Sequence, residues 1–115
     1  MEPRVSDVEQ LKKRVRKQAA AQVFAGGTAD LGVDLGPLQG CRARIKAGYG
    51  PLSTEPVVTA GDRLVWLLEG HAEIESPSGL ITHISQGEST VLAGGIAYRL
   101  EFPTLSLYLC VESEG

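Results

Sequence analysis

Two histidines and two glutamates in one stretch of the chain are the residues best suited to acid–base or metal chemistry. His71, Glu73 and Glu75 alternate along the sequence, which places them on one face of a strand, and His83 follows a turn. Hairpin pairing would bring His83 within about 5 Å of Glu73 or Glu75. The group is a candidate secondary metal or acid–base site, or alternatively the solvent face of the strand.

Nucleophilic and phosphate-binding chemistry have little support in the sequence. The chain has no G-x-S-x-G elbow that would present a nucleophilic serine. Its two cysteines, Cys41 and Cys110, lack CxxC spacing and neither lies beside a histidine, so we expect buried, reduced thiols. The Ala-Gly-Gly-Thr segment at 25–28 lacks the lysine of a phosphate-binding loop and indicates the end of a helix.

Charge is unevenly distributed along the 115 residues. The net charge is −3, yet residues 1–20 hold six basic side chains against three acidic ones. The remaining, acidic part argues against a nucleic-acid-binding domain, because such domains present a basic surface. Residues 1–20 lack the apolar run of a secretory signal, and no stretch of about 18 apolar residues could span a membrane. We therefore expect a cytoplasmic protein with no nucleic-acid or membrane partner.

The first predicted element is an amphipathic helix over residues 5–24. Ser6 and Glu9 have the spacing of a capping box. Apolar residues recur at a period near 3.6, at Val8, Leu11, Val15 and Ala19. The opposite arc is basic and carries Lys12, Lys13, Arg16 and Lys17. We expect the apolar side to pack on the body of the protein and the basic side to be solvated, with binding of an acidic partner or of nucleic acid as the alternative.

After Thr28 the pattern changes to the two-residue alternation of strands. Alternating runs cover residues 31–35 and 41–47, and the second ends at Gly48. Further strand-like segments cover 62–69, 71–76, 80–85, 89–93, 96–102 and 104–112. Residues 76–79 fit a type I turn between two of them. Short strands with Gly and Pro between them predict an all-β sandwich or barrel, and the whole chain is predicted as one domain, with a barrel over 28–112.

Four glycines give the chain a resemblance to a known family. Gly50 and Gly70 frame a segment that resembles the first cupin motif, G-x5-H-x-H-x4-E-x6-G. Gly87 and Gly95 frame one that resembles the second motif, G-x5-P-x-G-x2-H-x3-N. The resemblance covers about residues 40–112. It implies a cupin-type antiparallel double-stranded β-barrel, jelly-roll-like, with one amphipathic helix before it.

The metal ligands of the cupin motifs are all replaced in this sequence. Carried over position by position, His, His, Glu and His become Pro56, Val58, Arg63 and Tyr98. Pro56 and Val58 have no side-chain donor atom, Arg63 has a permanent positive charge, and Tyr98 would ligate only as a phenolate. We therefore expect no metal ion and no other cofactor at the family's site.

The same carry-over predicts a ligand site in the mouth of the barrel. It places Arg63 and Tyr98 there, and alternation along the strand adds Val65 and Leu67, with Val58 beside them. A guanidinium and a phenol in an apolar cup could clamp a carboxylate or a phosphate. We therefore predict a small-molecule partner, anionic in character.

Arg63 also has a structural alternative, in which Asp62 or Glu101 pairs with it and closes the cup.

Three functions remain open. The first is a metal-free cupin that binds a small organic anion as a sensor or binding module. The second is a metal-independent isomerase or epimerase with Tyr98 as general acid. Cupins of the sugar-epimerase and isomerase branch usually also have an inward histidine as base, and neither His71 nor His83 matches that position. The third is a structural or interaction protein.

Trp66 has the opposite parity to Val65 and is expected to face away from the cup. The resemblance to cupins, which often dimerise by pairing such sheets, makes Trp66 a candidate anchor of an interface. Packing under the N-terminal helix is the alternative. We expect a homodimer.

Overall fold

The computed structural model describes residue 3 and residues 5–51 and 57–114. One helix precedes seven strands: α1 Val8–Phe24, β1 Ala29–Leu38, β2 Cys41–Pro51, β3 Arg63–Glu69, β4 His71–Glu75, β5 Ile81–Ser85, β6 Ser89–Leu92 and β7 Arg99–Ser113. The predicted fold class, all-β with one N-terminal helix, is confirmed.

The strands of the described ranges pair in antiparallel fashion. Five of them form a sheet in the order β1-β2-β7-β3-β6, and β4 pairs with both β5 and β7. β7 connects the two parts of the barrel, because residues 99–101 pair with β4 while residues 106–113 pair with β2 and, over 107–112, with β3.

β7 is continuous where the sequence predicted a break between residues 102 and 104. Pro103 cannot donate a backbone hydrogen bond, but proline is tolerated at a bulge. The register of β2 against β7 shifts between Gly48 and Gly50, which face this part of β7. The same shift lets β2 continue beyond its predicted end at Gly48, so both predicted ends are wrong for one reason.

The helix begins later than predicted, and its cap is a different residue. Asp7 is the N-cap, and its Oδ1 accepts the backbone N–H of Gln10 at 3.2 Å. Aspartate is among the best N-cap residues because its side-chain oxygen reaches the free N–H groups of the first turn. The capping box predicted for Ser6 and Glu9 is therefore wrong, and the helix runs from Val8 rather than from residue 5.

The apolar side of α1 packs on the sheet as predicted. Val15 and Ala19 are fully buried against Ala29, Ala47 and Leu107. The basic side is only partly solvated, since two of its side chains, Lys12 and Arg16, turn back onto the barrel. No helix in the described part of the chain is long and apolar enough to cross a membrane.

Glu69 at the end of β3 fixes the basic side of the helix. Arg16 Nη2 donates to Glu69 Oε2, and Lys12 Nζ lies 3.4 Å from the same oxygen. Lys12 also pairs with Glu9 at 3.4 Å. The expectation of a fully solvated basic side is wrong for Lys12 and Arg16.

A second core fills the inside of the barrel. We call it the interior core: Val65, Leu67, Ala72, Ile74, Ile84, Leu92, Leu100, Phe102, Tyr108 and Cys110. The face of the sheet that carries these side chains is the interior face, and the opposite side is the outer face, part of which α1 covers. The barrel is thus packed with side chains over much of its depth.

Gly70 permits a close contact between β3 and β7. Its φ is +96°, and a Cβ there would lie 2.2 Å from Ser106 Oγ. That hydroxyl is buried and accepts the backbone N–H of His71 at 3.1 Å. A side chain at Gly70 would therefore break the β3–β4 corner, while Gly79, with φ +87°, has open space around it.

We expect Gly70→Ala to lower the free energy of unfolding by about 3 kcal/mol. Positive φ contributes about 1–2 kcal/mol for a residue with a Cβ, and overpacking adds about 1–3 kcal/mol. Gly79→Ala is the matched control and should lose only the first of these contributions. Urea denaturation of both variants measures the difference, and equal losses would contradict the contact.

Candidate functional site

Four basic side chains project from the interior face, three on β2 and one on β3: Arg42, Arg44, Lys46 and Arg63. The β2 residues lie opposite Glu112, Cys110 and Tyr108 of β7, in that order. Arg63 lies opposite Glu112 on the other side of β7. Directly opposite residues of an antiparallel pair project to the same side, so the three strands place these charges together.

Two of the four basic side chains have acidic partners from β1. Arg42 donates from Nε to Asp34 Oδ1 at 3.1 Å and from Nη2 to Oδ2 at 3.5 Å. The hydrogen bond and charge of Asp34 raise the pKa of Arg42. Lys46 Nζ lies 3.4 Å from Asp30 Oδ1 and 5.7 Å from the centre of the Tyr108 ring. These cations are therefore satisfied within the protein.

Arg63 has no such partner among residues 5–51 and 57–114. Its Nε and Nη2 are buried without a hydrogen-bond partner there. Asp62 instead accepts the N–H of Gly94 at 2.9 Å, and Glu101 lies opposite Glu73 of β4. Neither acid pairs with Arg63 in the described part of the chain. A buried guanidinium without an acceptor is costly, so Nε and Nη2 of Arg63 are two unsatisfied donors in the described part of the chain.

Tyr108 forms part of the floor next to these charges. Its ring stacks on Phe102 with centroids 4.9 Å apart and an interplanar angle of 20°. Its Oη is buried and has no partner among the described residues. Burial, and then the charge of Asp30, raise the pKa of Tyr108 far above its usual range. The phenol therefore stays protonated and can donate a hydrogen bond.

Cys110 is a buried thiol in the same layer, as expected from the sequence. Burial raises its pKa, and the nearby Lys46 and Arg63 only partly oppose this effect. Because the thiolate is the nucleophilic form, Cys110 belongs to the core rather than to catalysis. Cys41 is half-buried, and both cysteines are free.

The apolar residues predicted for β3, Val65 and Leu67, lie deeper in the barrel than the charged side chains, in the interior core. Val65 and Leu67 share the interior face of β3 with Arg63, and both are fully buried in the interior core. Tyr98 is half-buried and packs against the same core. Its backbone N–H donates to Val57 O at 3.1 Å and its C=O accepts from Val57 at 2.8 Å. The structure thus brings Arg63, Tyr98 and the floor to one side of the sheet.

Val58 lines an open groove of about 480 Å³ at the end of the sheet. Ala60 adds a second apolar wall, while Arg42, Glu112 and Glu114 contribute charge. Glu112 lies opposite Arg63 in the pairing of β3 with β7, but Arg63 is not among the described residues that line this groove. The groove is wide enough for a small organic molecule.

The basic residues of β2 and Glu112 are members of the site that sequence reasoning missed. The signal was present, because Arg42, Arg44 and Lys46 alternate with buried Ala43 and Ile45. The alternation alone does not say which side is water, and polar residues normally take the solvent side. In this structure the apolar side of β2 belongs to the outer face, part of which α1 covers. The basic side of β2 belongs to the interior face.

The family's metal positions do not fit a cation in this chain. Val58 has no donor atom, and the guanidinium of Arg63 would repel a metal ion. Tyr98 would be a single phenol ligand. Pro56, the fourth position, lies outside the described residues. Within the described ranges, no group of three His, Cys, Asp or Glu side chains is placed to hold a metal.

The candidate histidine cluster does not assemble into a site. His83 lies opposite Glu73 as the hairpin pattern predicted, with Nδ1 3.7 Å from Oε1. His71 Nδ1 instead lies 3.3 Å from Ser85 Oγ. Both histidines are exposed and lie away from the interior face. Neither is placed as a base for Tyr98, so the isomerase interpretation lacks its second group in the described chain.

Trp66 lies on the outer face and is 44 % exposed, next to Val91, which is 63 % exposed on β6. It is not among the residues packed against α1, so the alternative of packing under the helix is not observed. The homodimer stays a prediction, and this apolar part of the outer face is the surface that would support it.

No family model and no curated protein matches the sequence significantly. Solved structures do match the fold. A cupin superfamily protein from Desulfitobacterium hafniense superposes with a TM-score of 0.67 at 13 % identity, over 76 % of this chain and 79 % of that one. A cupin-2 domain containing protein from Shewanella frigidimarina gives 0.66 at 11 % identity, over 87 % and 97 %.

An enzyme domain is also similar in structure. Salicylate 1,2-dioxygenase from Pseudoaminobacter salicylatoxidans gives a TM-score of 0.73 at 12 % identity, over 90 % of this chain and 31 % of that one. At these identities the likeness concerns the fold alone, and it confirms the barrel type that the glycine spacing predicted.

We expect Arg63→Met to raise the free energy of unfolding by about 1–3 kcal/mol in anion-free buffer. The substitution removes a desolvated, unpaired charge and keeps most of the apolar volume. Arg42→Met is the matched control, because it removes an exposed ion pair and should cost no more than about 1 kcal/mol. Urea denaturation tests both, and destabilisation by Arg63→Met would show that the guanidinium has an internal partner.

The homodimer prediction is tested by the mass of the protein in solution. We expect light scattering after gel filtration to give twice the chain mass, and Trp66→Ser to shift it towards the monomer, because buried tryptophans often dominate an interface. Ser89→Ala, opposite Trp66 on β6, should leave the mass unchanged. A monomeric wild-type protein would contradict the prediction.

Proposed function

We propose that this chain, which has the cupin fold, binds a small, anionic organic molecule in the barrel through Arg63. It does so with a guanidinium at a position where the family motif has a metal ligand. The role is that of a binding or sensor module rather than of a catalyst.

The observation that carries the proposal is the unsatisfied guanidinium of Arg63. Nε and Nη2 are two donors of a planar fork that matches a carboxylate or a phosphate. A ligand anion would supply the acceptors that residues 5–51 and 57–114 do not. The unpaired charge then lowers the stability of the free protein and increases its affinity for the anion.

A second cation, Arg44, is available to attract the negative charge of the ligand. Arg44 faces the interior next to Cys110 and forms no ion pair within the described ranges. Arg44 and Arg63 lie on either side of β7, and Val65 and Leu67 form an apolar floor between strands. Two positive charges over an apolar floor favour an anion with a hydrocarbon part, which is the class of small organic acids.

A binding role agrees better with the geometry than catalysis does. Proton transfer requires an acid and a base within hydrogen-bond reach of the substrate. Tyr98 could supply the acid, but both histidines are on other faces of the barrel. The hydroxyl of Tyr98 is therefore proposed as a hydrogen-bond donor to the bound anion.

We expect small carboxylates to raise the melting temperature of the wild-type protein. Acetate, succinate and inorganic phosphate are suitable probes, compared with chloride at equal ionic strength to remove general salt effects. At about a hundred times its Kd, a ligand stabilises by about 2.7 kcal/mol. At about 4–8 °C per kcal/mol for a small domain, this corresponds to a shift of roughly 10–20 °C. Differential scanning fluorimetry measures the shift.

The variants identify the residue responsible. Arg63→Met should abolish the anion-dependent shift, and Arg42→Met should keep it. Tyr98→Phe should weaken binding by about 0.5–1.5 kcal/mol, the usual net contribution of one hydrogen bond. An unchanged shift in Arg63→Met would refute the clamp, and the absence of a shift for every anion would leave the structural interpretation of the barrel.

A further inference from the structure

The side of α1 that faces away from the barrel carries cations that the fold does not use. Two of the five basic side chains of the helix fix it to the barrel through Glu69. The other three, Lys13, Arg14 and Lys17, are exposed and form no ion pair with any residue of the described ranges. Their charges are therefore available to a partner.

Phe24 is exposed on the same side of the helix. It is the last residue of α1 and is 95 % exposed, whereas its neighbour Val23 packs against the buried residues under the helix. With 3.6 residues per turn, Lys13, Lys17 and Phe24 project within about 40° of one another and opposite the buried Val15. The aromatic ring thus adds apolar surface beside the free cations.

These side chains and two small ones between them form one continuous surface. We call it the outward face of α1: Lys13, Arg14, Lys17, Ala20, Ala21 and Phe24, all of them exposed. Charge and apolar surface are separated along the helix axis, because Phe24 lies about 10 Å beyond Lys17 at a rise of 1.5 Å per residue. The two alanines between them leave room for the backbone of a partner to approach closely.

We propose that the outward face of α1 binds an acidic, amphipathic segment of another protein. Carboxylates of the segment pair with Lys13, Arg14 and Lys17, and an apolar side chain about two helical turns away packs on Phe24. The interaction does not depend on the anion site, because Arg63 belongs to the interior face while α1 covers part of the outer face.

The charge of the rest of the chain favours a short partner over an extended polyanion. Residues 21–115 hold five basic side chains against eleven acidic ones. A bilayer or a nucleic acid would extend past the helix and meet this acidic part, and like charges within a Debye length of about 10 Å repel. A short acidic segment contacts the helix alone, so its charge is complementary to the whole surface that it covers.

Selection from a phage-displayed library of random peptides, with the whole chain as bait, tests the inference. We expect the enriched peptides to combine two or more Asp or Glu residues with an apolar one, and to bind as labelled synthetic peptides in fluorescence anisotropy. Phe24→Ser should weaken this binding about tenfold or more, because it removes the apolar anchor. The double variant Lys13→Gln and Lys17→Gln should weaken it by about the same factor, because it removes two charges.

Leu80→Ser and Arg42→Gln are the matched controls, because they remove an exposed apolar side chain and an exposed cation elsewhere on the molecule. Both should change the affinity less than twofold. Arg63→Met should bind the peptides as the wild type does, so a failure of the anion site leaves this inference intact. Enriched peptides without acidic residues, no enriched peptide at all, or equal binding by Phe24→Ser and the wild type would overturn it.

Vesicles and nucleic acids distinguish the other kinds of partner. We expect no sedimentation with phosphatidylcholine vesicles that contain about one third phosphatidylserine, and no anisotropy change with labelled duplex DNA or single-stranded RNA, at physiological ionic strength. Binding to either probe that is lost in Phe24→Ser or in the double lysine variant would overturn the acidic protein segment and assign the outward face of α1 to that polyanion.

Discussion

The double pairing of β7 is the constraint on which both the fold and the site depend. Residues 106–113 of β7 pair with β2 along one edge, and residues 107–112 pair with β3 along the other. Residues 99–101 pair with β4. A slip of one residue in either register would turn Glu112 and Tyr108 to the outer face. The packed rings of Tyr108 and Phe102 oppose such a slip, because they fill the barrel only in this register.

The charges of the interior face show how a small barrel tolerates polar groups near its core. Arg42 and Lys46 are balanced by Asp34 and Asp30, both from the neighbouring strand β1. Arg63 lies on β3, two strands further from β1 than β2 is, and is beyond the reach of these acids. The pairing order of the sheet therefore keeps this guanidinium away from the two acids that balance Arg42 and Lys46.

The sequence predicted the helix and strands of this fold better than it predicted the contacts between them and the directions of their side chains. Gly70 and Gly87 fall in the spacing of the cupin motifs because both have positive φ at corners of the barrel, and such positions are visible in a sequence. The capping role of Asp7 and the passage of β7 through Pro103 depend on which atoms come within reach after folding. The inward direction of Arg44 and Lys46 was hidden for a related reason: alternation gives the two sides of a strand, but only the packing of α1 shows which side is outside.

The replacement of a metal ligand by Arg63 changes what the barrel can do with a bound carboxylate. A divalent cation and a guanidinium both present positive charge to an anion, so either can hold one in the same cup. The cation also polarises its ligand as a Lewis acid and activates water, whereas a guanidinium donates hydrogen bonds in a fixed plane and keeps its protons. The anion site that we propose at Arg63 would therefore recognise an acid without a means to activate it.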